Sequence, residues 1–366
     1  MGIGYRVPDR APLRSSVYAD LRTQYQVPCT RYPVPKMYIQ LKLIHEPLPS
    51  ARWQRFFHRV WPLYLDWFVS EGHGARAELP ECRNALAVHL PELLPFYDQL
   101  CELAGGGDLE SRFLSMWCPP AYMAGCSQAA WVRGNPTLVR NYDYDPRLFD
   151  GRMRFTEWLK PVISIQDSAW GALDGMNGDG LALALAFGGR KVSGVGFGIP
   201  LVVRYVLETC STTEEAMAAL SRIPVHMSYN VIALDKNGHY AVAYLNPDRP
   251  AHVVHKPVCT NFQEQVEWDE YAAFTQTLQR NDYLEDLLRD ENVDRAQLMA
   301  RFLKPPLYHQ QYLRGFGTLY SVAYDLKQKS VRVFWPDSEV KVTFKKFKEQ
   351  DLKVVLLRPA GRYMAK

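Results

Sequence analysis

Gly125-Cys126-Ser127-Gln128-Ala129-Ala130-Trp131-Val132-Arg133-Gly134-Asn135-Pro136-Thr137-Leu138-Val139-Arg140-Asn141-Tyr142-Asp143 reads as two apolar segments folded back on a turn. Ser127–Arg133 and Thr137–Asp143 are strand candidates, and Gly134-Asn135 between them is a good hairpin signal. The texture upstream is helical. Trp53, Phe57, Val60, Tyr64 and Phe68 recur at three or four, one apolar face, with Pro62 expected to kink or interrupt the helix. Leu86 to Leu103 forms a second amphipathic segment that stops at Gly105-Gly106-Gly107. Asp108 is read as the cap of a short third helix with Leu109, Phe113 and Trp117 inward, and Pro119-Pro120 ends it. Residues 1–36, rich in Pro, Arg and Tyr, form an irregular lead-in.

Downstream, Val162–Ile165 and Leu181–Phe187 are strands, and Leu201–Cys210 is helical. Thr212-Thr213-Glu214-Glu215 reads as a capping box opening a helix to about Arg222. Ser228–Leu234 and Tyr240–Leu245 flank the turn Lys236-Asn237-Gly238, and Val253–Thr260 is one more strand. Glu267 to about Asp290 and Arg295–Leu303 are helical. Strands at Thr318–Asp325, Val331–Trp335 and Lys341–Phe344 close the chain. Strands in two groups with helices between them predict an α+β fold: two mainly antiparallel sheets with helices outside, an αββα sandwich preceded by a helical region.

The chain has 366 residues, 47% hydrophobic, enough for one large domain. A net charge of +4 without a polybasic run argues against nucleic acid. The cysteines Cys29, Cys82, Cys101, Cys118, Cys126, Cys210 and Cys259 are odd in number and form no C-x-x-C pair, which argues against a disulfide framework or a zinc knuckle and fits a reducing compartment. The charged N-terminus is unlike a secretory signal, Met1-Gly2 lacks the Ser or Thr that myristoylation wants at position 6, and no apolar run approaches a membrane span. The expectation is a cytoplasmic protein without membrane partners.

Cys126 offers a specific chemistry. If its thiol attacks the Gly125 carbonyl, the amide becomes a thioester, and water can release a new N-terminus at Cys126. A free α-amine has a pKa of about 7.7–8.0 and a thiol about 8.5, so the amine can serve as base for the thiol of its own residue. No histidine stands near Cys126 in sequence; the nearest upstream is His89. The hairpin brings Arg140 and Asp143 beside the nucleophile, where a carboxylate can hold the α-amine and a guanidinium can orient the pair or the acyl group. An ordinary surface ion pair is the bland alternative for these two, and a buried structural thiol the bland alternative for Cys126.

Gly125-Cys126-Ser127-Gln128 and Leu138-Val139-Arg140-Asn141-Tyr142-Asp143 resemble the nucleophile and Arg-Asn-x-Asp strand of isopenicillin-N acyltransferase-like autoproteolytic enzymes, within the N-terminal-nucleophile hydrolases that also include choloylglycine hydrolase and acid ceramidase. Asp174-Gly175-Met176-Asn177-Gly178-Asp179-Gly180-Leu181, Ala186-Phe187-Gly188-Gly189-Arg190, Gly198-Ile199-Pro200-Leu201, Tyr229-Asn230 and Thr260-Asn261 follow in the family's order. The resemblance spans about Tyr122 to Trp268. It implies that Cys126 is the nucleophile, self-cleaved at Gly125-Cys126, that Asp143 accepts from its amine, that Arg140 lines the acyl pocket and that Asn261 offers its amide to the oxyanion. A second oxyanion donor is expected in a backbone N–H at or near Phe187, with Asn177 and Arg314 as further binding candidates. The implied division is 1–125 as pro-region or α-subunit and 126–366 as catalytic β-subunit, packed as one unit whose fragments stay associated. It implies no metal and no cofactor. The expected partner is a small acyl-amide substrate, with an amine or a coenzyme A-linked acyl group as second reactant; a homo-oligomer is compatible with it. Phe262 stands where the family often has His, and Thr318 where one branch has a late arginine; Arg314 does not align with it. These departures argue against bile salts as substrate and leave open a degenerate member that serves as an interaction module.

Three other motif readings fail on spacing. Asp174-x-x-Asn177-x-Asp179 breaks an EF-hand at Met176 and has Leu185 where the twelfth-position Glu belongs. Gly194-Val195-Gly196-Phe197-Gly198 is not a dinucleotide fingerprint. A papain-like dyad would need His226, His239, His252 or His255 to approach Cys126 without any papain signature around it.

Overall fold

The computed structural model describes residues 37–357; the expected lead-in, the Met1-Gly2 terminus and Cys29 lie outside them. In chain order the elements are β1 (Met37–His45), α1 (Ala51–Phe68), α2 (Leu79–His89), α3 (Leu94–Ala104), α4 (Asp108–Leu114), β2 (Gly125–Trp131), β3 (Thr137–Tyr144), β4 (Arg152–Glu157), β5 (Pro161–Asp167), β6 (Gly171–Asn177) and β7 (Leu181–Phe187). There follow α5 (Ile199–Thr209), α6 (Thr213–Arg222), β8 (Tyr229–Asp235), β9 (Tyr240–Leu245), β10 (His252–Val254), β11 (Val258–Cys259), α7 (Asp269–Thr275), α8 (Thr277–Arg289), α9 (Arg295–Arg301), β12 (Gly317–Asp325), β13 (Ser330–Trp335), β14 (Ser338–Thr343) and β15 (Gln350–Leu357).

The strands form a nine-stranded sheet in the order β10-β9-β8-β7-β6-β5-β4-β1-β15 and a six-stranded sheet in the order β11-β2-β3-β12-β13-β14. Pairing is antiparallel except between β1 and β4. α5 and α6 cover the outer face of the larger sheet. α8 and α9 cover the smaller one, where Leu284, Leu298 and Phe302 pack on Ala129, Trp131, Val139, Ala323 and Phe334. This is the four-layer αββα arrangement that the sequence predicts.

Several local expectations need correction. α1 runs unbroken through Pro62, which lies on the exposed side where the freed His58 carbonyl can meet water. The segment Leu86–Leu103 is two helices, because Pro91 and Pro95 each start a new helical turn. Asp108 is the first helical residue of α4 rather than its cap; Gly107 is the N-cap, with no side-chain bond. Glu267–Asp290 is divided by Gln276, which adopts φ 53° between α7 and α8. Val253–Thr260 is two short strands in different sheets, with Pro257 between them. Thr212 does cap α6, its hydroxyl accepting from the Glu215 N–H at 3.2 Å.

The region before Cys126 is not wholly helical. β1 is inserted between β4 and β15, so residues 37–45 are an interior strand of the larger sheet. Among the described residues, no helix is long and apolar enough to cross a membrane.

Candidate active site

Alternation along β2 and β3 distributes the chemistry. Ala129 and Val139 face the α8–α9 layer, so residues of the same parity, Ser127 and Asp143, face it too, while Cys126, Arg140 and Tyr142 face the larger sheet. The register sets Gly125 opposite Asp143, Cys126 opposite Tyr142 and Gln128 opposite Arg140. Cys126, Arg140, Asp143 and Asn261 are all fully buried.

On the inter-sheet side, Arg140 Nη2 donates to Cys126 Sγ at 3.3 Å and to the Leu185 carbonyl at 2.9 Å. Arg140 Nη1 pairs with Asp174, whose carboxylate also accepts from Tyr320 at 2.6 Å and from Tyr324. A buried guanidinium needs such a partner, because an uncompensated buried charge costs several kcal/mol. Burial works against the charge of Arg140, but Tyr320, Cys126 and Asp174 outweigh it and hold its pKa above the usual arginine value. Burial pushes the Cys126 thiol up, and the Arg140 guanidinium opposes that shift.

At the backbone of Cys126, Asn261 acts as a two-sided clamp. Its Oδ1 accepts the Cys126 N–H at 2.7 Å, and its Nδ2 donates to the carbonyls of Ala124 and Phe187, both at 3.1 Å. The Ala124 carbonyl also accepts from the Tyr271 hydroxyl at 2.8 Å. Phe187 therefore meets the cluster with its carbonyl, an acceptor, where the sequence reading assigned it a donating N–H. In the intact chain Asn261 Nδ2 is taken up by peptide carbonyls.

On the helix side, Asp143 Oδ1 accepts from Thr318 Oγ1 at 2.6 Å, and Oδ2 has no hydrogen-bond partner. Arg280 Nη1 stands 3.7 Å and His309 Nε2 3.9 Å from that oxygen. Burial lowers the pKa of His309, which favours its neutral form. A fully buried carboxylate oxygen without a donor leaves a desolvation cost unmet, and Asp143 stands opposite Gly125 across the strand pair.

Arg280 was missed in the sequence reading. It donates to the Cys126 carbonyl at 2.5 Å, to Ser127 Oγ at 2.8 Å, to Asn261 Oδ1 at 2.9 Å and to the Thr275 carbonyl at 2.7 Å. A signal was present: Thr277, Arg280 and Leu284 recur at three and four on α8, which puts an arginine on the buried stripe. Asp174, Tyr320, Tyr271 and Thr318 were likewise not assigned roles.

Gly125 occupies regular strand backbone, so its need for glycine is not backbone strain. A Cβ there would stand 2.6 Å from the Phe316 ring and 3.1 Å from Asp143 Cβ. Asn177 is the last residue of β6 and is used up locally, donating to the carbonyls of Leu207 and Cys210 and accepting from the N–H groups of Asp179 and Leu181. Arg314 is exposed on the short turn Tyr312–Arg314 and contacts none of the cluster. Neither joins Cys126. Among the described residues no group of His, Cys, Asp or Glu could hold a metal ion.

A nucleophile-type residue at the start of a central strand in an αββα sandwich is the arrangement of the N-terminal-nucleophile hydrolase superfamily. Residues 131–339, more than half of the chain, match the family described as acyl-coenzyme A:6-aminopenicillanic acid acyl-transferase, and the chain belongs to that family. The match begins just after Cys126 and contains Arg140, Asp143, Asn261 and Arg280. No curated protein matches the sequence at a significant level. Among solved structures, the chain is similar to a mutant of conjugated bile acid hydrolase from Clostridium perfringens, at 14% identity over 63% of this chain and 96% of that one, with TM-score 0.44. It is also similar to a Caenorhabditis elegans N-acylethanolamine-hydrolyzing acid amidase ortholog, at 18% identity over 55% and 92% with TM-score 0.38. A third is penicillin V acylase from Agrobacterium tumefaciens, at 14% identity over 61% and 78% with TM-score 0.31.

Proposed function

We propose that this chain is a cysteine amidohydrolase or acyltransferase that cuts itself between Gly125 and Cys126 and then carries an acyl group on the Cys126 thiol. The observation that carries the reading is the clamp on residue 126: a guanidinium on its sulfur, an amide oxygen on its N–H, and across the hairpin a buried carboxylate oxygen without a donor. Cleavage turns the clamped N–H into an α-amine. Asp143 Oδ2 and Asn261 Oδ1 are both acceptors suited to hold it, leaving its lone pair for the thiol proton. Withdrawal of residues up to Gly125 also frees Asn261 Nδ2, which loses the Ala124 carbonyl and gains the role of oxyanion donor.

In this reading the thiol attacks an amide carbonyl, the amine leaves with the proton relayed by the Cys126 α-amine, and the resulting thioester passes its acyl group to water or to an amine. The reactants are a small acyl amide and, for transfer, an amine or a coenzyme A-linked acyl donor. Residues 1–125 stay with 126–366 because β1 remains an interior strand of the larger sheet. A cytoplasmic site of action belongs to the same proposal and rests on the odd number of cysteines and the lack of a C-x-x-C pair.

The test is chemical. Wild-type protein is expected to release acyl product from N-acyl amides and to alkylate at Cys126 faster than at its other cysteines, with both properties lost in Cys126→Ala. Adding an amine acceptor separates transfer from hydrolysis. Labelling of Cys126 no faster than that of Cys82 or Cys259 would count against an activated nucleophile.

A further inference from the structure

A second polar cluster stands at the same end of the sandwich and is not used by the chemistry above. Asp150, just before β4, and Asp167, the last residue of β5, share the Tyr64 hydroxyl of α1, which lies 2.8 Å from Asp150 Oδ1 and 3.4 Å from Asp167 Oδ1. Both residues are half-buried. Neither forms an ion pair among the described residues. Gln166, 2% exposed, donates through Nε2 to Asp150 Oδ2 at 3.3 Å and leaves Oε1 without a partner. The Ser168 N–H donates to Asp167 Oδ1 at 2.8 Å and to the Tyr64 hydroxyl at 3.1 Å, and the Ala169 backbone bonds Asp150; the acceptor left unmet is the buried Gln166 Oε1.

Its position relative to the thiol follows from the tyrosines between them. Tyr142 faces Cys126 across the hairpin, and its ring lies tilted against that of Tyr144 with centroids 5.7 Å apart. The charge of Asp167 bears on Tyr142, Tyr144 and Tyr122, and Tyr122 lies four residues before Cys126. Burial first, and the charge of neighbouring Asp150 after it, push Asp167 up to about 7. Arg140 acts on it too, but its guanidinium is already committed to Asp174 and the thiol.

We propose that Asp150, Asp167 and Gln166 form a subsite for a protonated primary amine on the substrate, so that the preferred substrates are amides carrying an alkylammonium group. An –NH3⁺ group has three donors and no acceptor, which matches two carboxylates and one free amide oxygen. The Tyr64 ring edge and the Tyr142–Tyr144 pair supply an aromatic wall for its alkyl stem. The identification of the group as part of a substrate rests on the acyl-transfer reading of Cys126; the cation site itself does not.

The experiment is calorimetric titration of the full chain with n-hexylammonium chloride, with n-hexanol and calcium chloride as comparison ligands. The expected result is saturable binding of hexylammonium only, weakened by about tenfold or more in Asp150→Asn/Asp167→Asn and measurably in Gln166→Met, at unchanged circular dichroism. If the double variant does not fold, Gln166→Met decides. Equal binding of hexanol, binding of calcium alone, no saturable binding, or binding unchanged by the variants overturns the proposal. Titration requires no working thiol. A chain that binds hexylammonium through these residues yet never cuts at Gly125 keeps the cation site and loses the enzymatic reading; one that cuts and ignores hexylammonium does the opposite.

Discussion

Arg280→Met removes the guanidinium at the centre of the cluster while keeping an unbranched stem of similar reach. The wild-type side chain is fully buried and serves the carbonyls of Thr275 and Cys126, Ser127 Oγ and Asn261 Oδ1, and it is the cation nearest to Asp143 Oδ2. Its loss orphans these acceptors and leaves a buried carboxylate with no nearby positive charge. Each buried unsatisfied acceptor costs about 1–3 kcal/mol, and breaking a buried charge pair about 3–5 kcal/mol in total after relaxation. At roughly 2 °C per kcal/mol for a chain of this size, the melting temperature falls by roughly 6–10 °C. Scanning calorimetry in a Cys126→Ala background measures this on uncut chains. Arg280→Lys falls between the two, since one ammonium cannot serve all the acceptors from the guanidinium's position. A loss under about 2 °C for Arg280→Met means that water or a neighbour satisfies these groups, and the assigned role is refuted.

Three further expectations concern other parts of the account. Arg140→Met removes the group that opposes the burial-driven rise of the Cys126 thiol, so alkylation of Cys126 at pH 7.5 slows by about tenfold for each pKa unit gained; an unchanged rate contradicts the assignment. Gly125→Ala drives a methyl group into the Phe316 ring and shifts the scissile peptide, slowing self-cleavage by about tenfold or more, with partial recovery in Gly125→Ala/Phe316→Leu. His226 is buried and binds its proton only near pH 4, whereas the unfolded chain binds it near 6.5. Stability that is complete above about 6.5 is therefore lost as pH falls toward 4, about 3 kcal/mol in all, and His226→Phe flattens that part of the pH–stability curve.

The hairpin that carries Cys126 and Asp143 was legible because local chemistry and tertiary structure agree there. Gly134 takes φ 84° in the turn, and both flanking strands are apolar. Thr212 and the Asp235–Gly238 turn were legible for the same reason, with Asp235 Oδ1 accepting the Asn237 N–H at 2.9 Å. β6 is not announced by the sequence, because Gly-Ala-Leu-Asp-Gly-Met-Asn is poor in β-formers. Its glycines are instead demanded by contact with α5: a Cβ at Gly171 would meet Pro200 at 2.6 Å, and one at Gly175 would meet Leu207 at 2.7 Å. Its Asp174 is the counter-ion of Arg140, a partner distant in sequence. β4 was missed because Arg152 and Arg154 look like surface residues. Both are buried, Arg154 paired with Glu46 at 2.8 Å and Arg152 over the Phe56 ring at 3.8 Å. β1 and β15 pair with each other across nearly the whole described chain, and no local pattern announces such a partner. Asn177 was carried into the site by motif order, and Arg314 only by lying near the position of a late arginine that it does not align with. Motif order does not say which end of a strand a residue occupies: Asn177 ends β6 next to the turn into β7, whereas Phe187 ends β7 a strand length away.

Everything in the functional account descends from cleavage at one peptide bond, which intact-mass spectrometry under denaturing conditions reads directly. Freshly purified wild-type protein is predicted to give two polypeptides of 125 and 366 − 125 = 241 residues, the second beginning at Cys126, which co-elute under native conditions. Cys126→Ala is predicted to give one. A wild-type chain that stays whole through prolonged incubation near neutral pH contradicts the account.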